Sequence, residues 1–251
     1  MPLVNDADDL RLGDAAVDRL YLGSNLVWER ESASPSFPNL PWHSVYWADQ
    51  IPVADGGAVA SWPDLSGNGR DLVQATAAFQ PTMRSAVPAL GGRRAVEFDG
   101  VDDYIRGPAA VLAQPYSVVV VFAGAGASGE MILGRYGGVG DGIIIRPLSA
   151  SGVRWSMFAG ANVNGTIADN GKHLIQATFA GPASSLAVDG IAPVTGDVGG
   201  RTMGGVRLGA DYNNGGALSG HVAFLGVLNR ALTTDERDRI LVWSRATYGT
   251  P

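Results

Sequence analysis

Asp99, Asp102 and Asp103 crowd a single turn, FDGVDDY, and carboxylates held this close could divide acid and base roles in cleaving a glycosidic bond. Asp and Gly together also favour tight turns, through side-chain bonds to the backbone and left-handed dihedrals, and the turn is the stronger reading. The remaining acid–base chemistry is thin. His43, His173 and His221 are isolated, without HExxH or paired spacing, and no serine sits in a G-x-S-x-G elbow. They read as polar residues at strand ends or on the surface. GAGASG at 124–129 satisfies G-x-G-x-x-G after an apolar strand, but a dinucleotide site then needs a helix aimed at pyrophosphate. EMILGRYGGVGDG reads as strand plus turn instead.

Rings offer a different chemistry, because sugar C–H faces lie against aromatic side chains while hydroxyls bond planar amides and carboxylates. Tyr136, Trp155 and Tyr212 lie beside Gly- or Asn-rich loops, RYGGVGDG and DYNNGG, where binding residues are commonly carried on a rigid scaffold. With Asn213 and Asn214 they form the expected ligand-binding set; the competing reading is ordinary surface exposure. Trp28, Trp47, Trp62 and Trp243 sit in motif or apolar contexts and are expected in the core.

The elements that position these residues are strands. A chain of 251 residues has room for one large all-β domain and a small module, and its 35 glycines fall between apolar runs as turn punctuation. SVVVVFA at 117–123 is apolar on both faces, as in a central strand, and HLIQATFA at 173–180 leads across a short loop to SSLAVDG at 184–190. No helix is expected before about residue 228. Then Thr233 and Glu236 have capping-box spacing, Ile240, Trp243 and Thr247 follow at helical intervals, and Gly249 can stop the turn, so one short C-terminal helix is predicted.

Composition excludes several classes. A net charge of −6 argues against a nucleic-acid partner, and no apolar run approaches a membrane span. The absence of cysteine excludes a disulfide scaffold and a thiolate metal site. MPLVNDADDL is acidic where a secretory signal would be basic. Lys172 is the sole lysine among 18 basic residues, a sign of GC-rich coding bias. Residues 1–30 read as a small β-meander (LRLGD, AAVDRLYLGS, NLVWER), too small to be stable without docking onto something else. ESASPSFPNLP at 31–41 reads as a Ser/Pro linker, and 42–251 as the main domain.

In order and spacing, WPDLSGNGRDL at 62–72, QPT at 80–82, VEFDGVDDYI at 96–105, the strand closing on a VDG turn, and GHVAFLGVLNRAL followed by TDE resemble a laminin-G-like domain of the concanavalin A-like superfamily. The phrase LGDAAVDRLYLGSNLVWE resembles the short N-terminal modules of minor tail proteins from phages of actinobacteria. These resemblances imply an all-β, two-sheet jelly-roll sandwich with a short C-terminal helix. The implied role is that of a minor tail or host-adhesion protein of a virion, without catalytic residues, that binds cell-surface glycan noncovalently and contacts other virion proteins through residues 1–30. A homotrimer is favoured, since repeated weak sites gain avidity. Rival readings are a glycoside hydrolase on the same fold, although the ExDxxE strand of some enzymes with that fold is missing from this sequence, and a purely structural tail or capsid protein. Asp141 in VGDGIII and Asp211 in LGADYNNGG resemble the loops that supply calcium carboxylates in laminin-G domains, so a weak Ca2+ site at this pair is expected.

Overall fold

The computed structural model describes residues 11–12, 15–16, 19–22, 25–29, 36–124, 127–138, 144–149, 153–167, 169 and 171–251. The chain separates into two compact units, Met1–Ser36 and Phe37–Pro251. In the first, β1 (Arg11–Leu12) pairs with β2 (Ala15–Ala16) and β3 (Arg19–Leu22) with β4 (Asn25–Glu29), all antiparallel.

The second unit is a sandwich. Its strands are β5 (Ser44–Trp47), β6 (Ser61–Trp62), β7 (Leu72–Val73), β8 (Thr82–Val87), β9 (Arg93–Asp99), β10 (Ile105–Arg106), β11 (Tyr116–Gly124) and β12 (Ile144–Ser149). They continue as β13 (Val153–Phe158), β14 (Asn162–Ile167), β15 (Lys172–Phe179), β16 (Ser184–Val188), β17 (Val194–Gly196), β18 (Arg207–Leu208) and β19 (Ser219–Leu228). The back sheet runs β17-β16-β15-β11-β19-β9-β8, and β5 takes the second half of the long edge of β19. The front sheet runs β6-β7-β10-β18 and β12-β13-β14, the two pieces joined by Leu133, which bridges both Leu208 and Ile145.

The central strand β11 explains the two-layer core. Val118, Val120 and Phe122 face the front sheet, whereas Val119, Val121 and Ala123 face the opposite side, so the strand is apolar throughout, as the sequence predicts. Helix α1 (Thr234–Tyr248) covers that opposite side. Thr233 and Glu236 form the capping box, Gly249 closes the helix at φ 65, and Trp243 packs 4.9 Å from Phe224 and 5.2 Å from Phe37. Phe37 and Leu40 therefore belong to the sandwich, although they lie in the Ser/Pro stretch of the sequence. Truncating a ring buried like Trp243 costs about 3–5 kcal/mol. Among the described residues no helix is long and apolar enough to cross a membrane.

One ring expected on the surface lies inside. Trp155 is 0% exposed, 5.0 Å from Phe122 and 5.1 Å from His173. It shares the inward phase of β13 with Met157, while Arg154 points outward. It is a core residue and not a ligand platform.

Candidate functional site

The front sheet exposes its other face through very short strands. Ile105 of β10 and Leu208 of β18 pair and fill the core, so the next pair along, Arg106 and Arg207, lies in direct register on the opposite face of the sheet, Arg106 exposed and Arg207 buried. Val73 of β7 extends the row beyond Arg106 and is 50% exposed. Arg207 as a residue is 2% exposed, and its guanidinium lies 3.9 Å from the ring centre of Tyr104, which stacks on Phe79. Its Nε donates to the Ala210 carbonyl at 3.1 Å and a terminal nitrogen to Asn214 Oδ1 at 2.5 Å. Burial lowers its pKa, but a guanidinium keeps its proton.

A loop lies beside this row because Gly134 permits it. A Cβ there would sit 2.2 Å from the Ala210 carbonyl oxygen, so only glycine lets the chain cross at this height. The crossing sets Arg135 on Asp211. The Arg135 backbone N–H donates to Oδ1 at 2.9 Å, Nε reaches both carboxylate oxygens at 3.0 and 3.1 Å, and a terminal nitrogen bonds Oδ2. Burial alone would raise the Asp211 carboxyl, but the bonds from Arg135 and the backbone hold it below the usual range. The same guanidinium lies 4.6 Å from the Tyr212 ring centre.

Tyr136 follows directly. Arg106 lies 5.6 Å from its ring centre, and the ring sits so close to Gly205 that a Cβ there would approach it to 2.7 Å. Asp211 to Asn214 form a turn, with the Asn214 N–H donating to the Asp211 carbonyl at 2.9 Å and Asn214 at φ 61, a conformation Asn tolerates. The structure thus gathers Tyr136, Tyr212, Asn213 and Asn214 around arginines 106, 135 and 207, with both asparagines exposed and both tyrosines half-buried. Arg106, Arg135, Arg207 and Tyr104 are the members that sequence reasoning missed. Trp155 is not among the group.

Asp141 lies outside the described residues. Asp211 is 3% exposed and both its oxygens are engaged by Arg135, so a calcium ion could bind it only by displacing a guanidinium.

The other titratable groups form separate clusters. Asp99 Oδ1 accepts from the Val101 and Asp102 N–H groups, and Asp103 Oδ2 from the Asp99 N–H, which is the turn chemistry expected. The three carboxylates lie within 4.8 Å of one another, and Asp103 is pushed up to about 6 by burial and by its acidic neighbours. Asp99 also lines a cleft of about 490 Å³ with Glu97, Glu130 and His221. His173 departs from expectation: it is buried, with Nδ1 2.7 Å from Asp189 Oδ2 and Nε2 3.0 Å from Asp169 Oδ1. Burial lowers its pKa, but the two carboxylates outweigh burial and raise it.

No family model matches the sequence, and no curated protein matches it. Solved structures do. A Trypanosoma rangeli sialidase in complex with sialic acid is 15% identical with a TM-score of 0.55, over 82% of this chain and 33% of its own. Domain 4 of AbnA, a GH43 extracellular arabinanase from Geobacillus stearothermophilus, in complex with arabinotriose, is 14% identical with a TM-score of 0.53, over 80% of this chain and 97% of that one. An arabinofuranosidase complexed with arabinofuranosyl-α-1,2-xylobiose is 14% identical with a TM-score of 0.59, over 86% and 61%. The chain spans about a third of the sialidase's length. At these identities the likeness is one of fold, and it agrees with the all-β sandwich of two sheets.

Proposed function

We propose that the sandwich is a noncovalent glycan-recognition module whose ligand lies on the outer face of the front sheet, across Tyr136, Tyr212, Asn213 and Asn214. The observation that carries this reading is the set of arginine–tyrosine contacts that hold half-buried rings beside exposed amides. Sugar rings offer apolar C–H faces to aromatics and hydroxyls to amides. Rings already fixed in place lose little freedom on binding. The bound sugars named for the structures of like fold support this ligand class. A glycan array probed with the full chain tests the reading. Tyr136→Ala and Tyr212→Ala should each weaken binding by about 1–2 kcal/mol without a large fall in Tm.

A second reading, hydrolysis of the bound glycan, is favoured by Asp103. A carboxyl pushed up to about 6 beside two further carboxylates suits a general acid with a partner, and the structures of like fold include glycosidases. Release of reducing ends by the full chain, lost in Asp103→Asn, would establish it. Binding without release favours recognition alone.

The biological setting proposed is a minor tail or host-adhesion position on a virion, with residues 1–30 contacting other virion proteins. The phrase at 12–29 and the arginine-rich composition support it. Labelled antibody against residues 42–251 on purified tails tests the location. Light scattering tests the homotrimer, which a stable monomer would exclude.

A further inference from the structure

Arg106 and Arg207 face each other across β10 and β18, and like charges directly opposite weaken a sheet. Neither forms an ion pair among the described residues, and the neighbouring carboxylate, Asp211, is taken up by Arg135. The chain as a whole carries −6, so two arginines side by side, with Asp211 acting on Arg207 only from beyond ion-pair distance, stand out from its background. The two arginines are not equivalent. Arg207 is buried and committed to Ala210 and Asn214, whereas Arg106 is exposed, with the Tyr136 ring beside it.

We infer that the missing counter-ion belongs to the ligand: the tyrosine–arginine face takes an acidic sugar, with its carboxylate on Arg106 and an apolar face of the ring on Tyr136. This rests on the glycan-binding reading and narrows it to a substrate class. The planar guanidinium fork matches a carboxylate through two parallel N–H donors. Arg207 supports that carboxylate through its field. It also holds Asn214 Oδ1, which leaves the amide nitrogen of this exposed side chain for a sugar hydroxyl. A neutral sugar laid over Arg106 would desolvate a charge and pair it with nothing, so the face discriminates against it.

The test pairs each acidic probe with its own methyl ester, which removes the charge and little else. Oligogalacturonate, a hyaluronan oligosaccharide and sialyllactose, each acid and ester, are titrated by calorimetry against the full chain, with sulfated lactose as a control anion. The expected result is that at least one acid binds at least tenfold more tightly than its ester and loses affinity as salt is raised. Arg106→Ala should bring that acid down to its ester's affinity while Tm stays level or rises at low salt, because a like-charge pair has been removed. Equal binding of acid and ester overturns the carboxylate assignment and leaves glycan recognition standing. Preference for the sulfated control, or discrimination that survives Arg106→Ala, also overturns it. Failure to bind any acidic probe, ester or neutral glycan on an array removes both readings together.

Discussion

The Arg135 guanidinium closes on both oxygens of Asp211 and lies over the Tyr212 ring, 4.6 Å from its centre. One side chain therefore links stability to the candidate site, since whatever frees Arg135 also frees Tyr212. The carboxylate is almost fully buried and the guanidinium largely so.

Removing Asp211 leaves a poorly solvated cation behind. Asp211→Ala should destabilise the sandwich by about 3 kcal/mol, or roughly 6–12 °C in Tm for a unit of this size. Because the native carboxyl titrates below its ordinary value, this contribution is present above the unfolded pKa and disappears as pH falls through the folded one. Melting curves of wild type and variant should therefore converge in strong acid. A constant difference down to low pH would show that the ion pair is not its source.

Trp155 gives the opposite signature to Tyr212. Trp155→Ala empties a site in the core between Phe122 and His173 and should cost about 3–5 kcal/mol. Glycan affinity measured well below the melting range should stay unchanged. A loss of affinity at intact stability would return Trp155 to the ligand face.

The difference between these rings shows what was legible in the sequence. The apolar run at 118–122, the Thr233–Glu236 spacing and the VDG turn each state a local preference that tertiary contacts reinforce, so central strand, helix and hairpin were readable. Trp155 was misjudged by nearness to a Gly-rich loop. The alternation of Arg154, Trp155, Ser156 and Met157 carried the inward phase and was the better signal. Arg106 and Arg207 were not readable, because β10 and β18 hold two residues each, too few for periodicity, and they meet only through a pairing about a hundred residues apart in sequence. His173 and Asp189 meet across the legible β15–β16 hairpin, but their side-chain contact depends on a register that the sequence does not state.

That His173 cluster makes a pH prediction. Its folded pKa is raised, so the protonated ring between Asp169 and Asp189 stabilises the fold fully below the unfolded value of about 6.5, and the contribution fades as pH rises through the folded value. Tm should fall on the alkaline side of that window in wild type and less so in His173→Gln. Calorimetry across pH 5 to 9 decides it, and parallel profiles for the two proteins would assign the pH dependence elsewhere. His221, whose pKa is lowered chiefly by burial, acts in the reverse sense and makes His221→Gln the needed control.

Gly134 separates the geometry of the site from its chemistry. It contacts no ligand in the proposed arrangement, yet a Cβ at this position would lie 2.2 Å from the Ala210 carbonyl oxygen and 2.8 Å from the Asp211 Cα, both backbone atoms that cannot swing aside. Gly134→Ala must lift the loop away from β18, drawing Arg135 off Asp211 and Tyr136 off Arg106 together. The expected cost is about 1–3 kcal/mol of stability, the usual range for overpacking. Glycan affinity should fall by at least as much as in Tyr136→Ala, because both rings lose their arginine supports at once. Calorimetric titration and melting of the three proteins provide the check. A Gly134→Ala protein that melts lower but binds as wild type would show that ring placement does not set affinity, and would move the ligand off this face of the sheet.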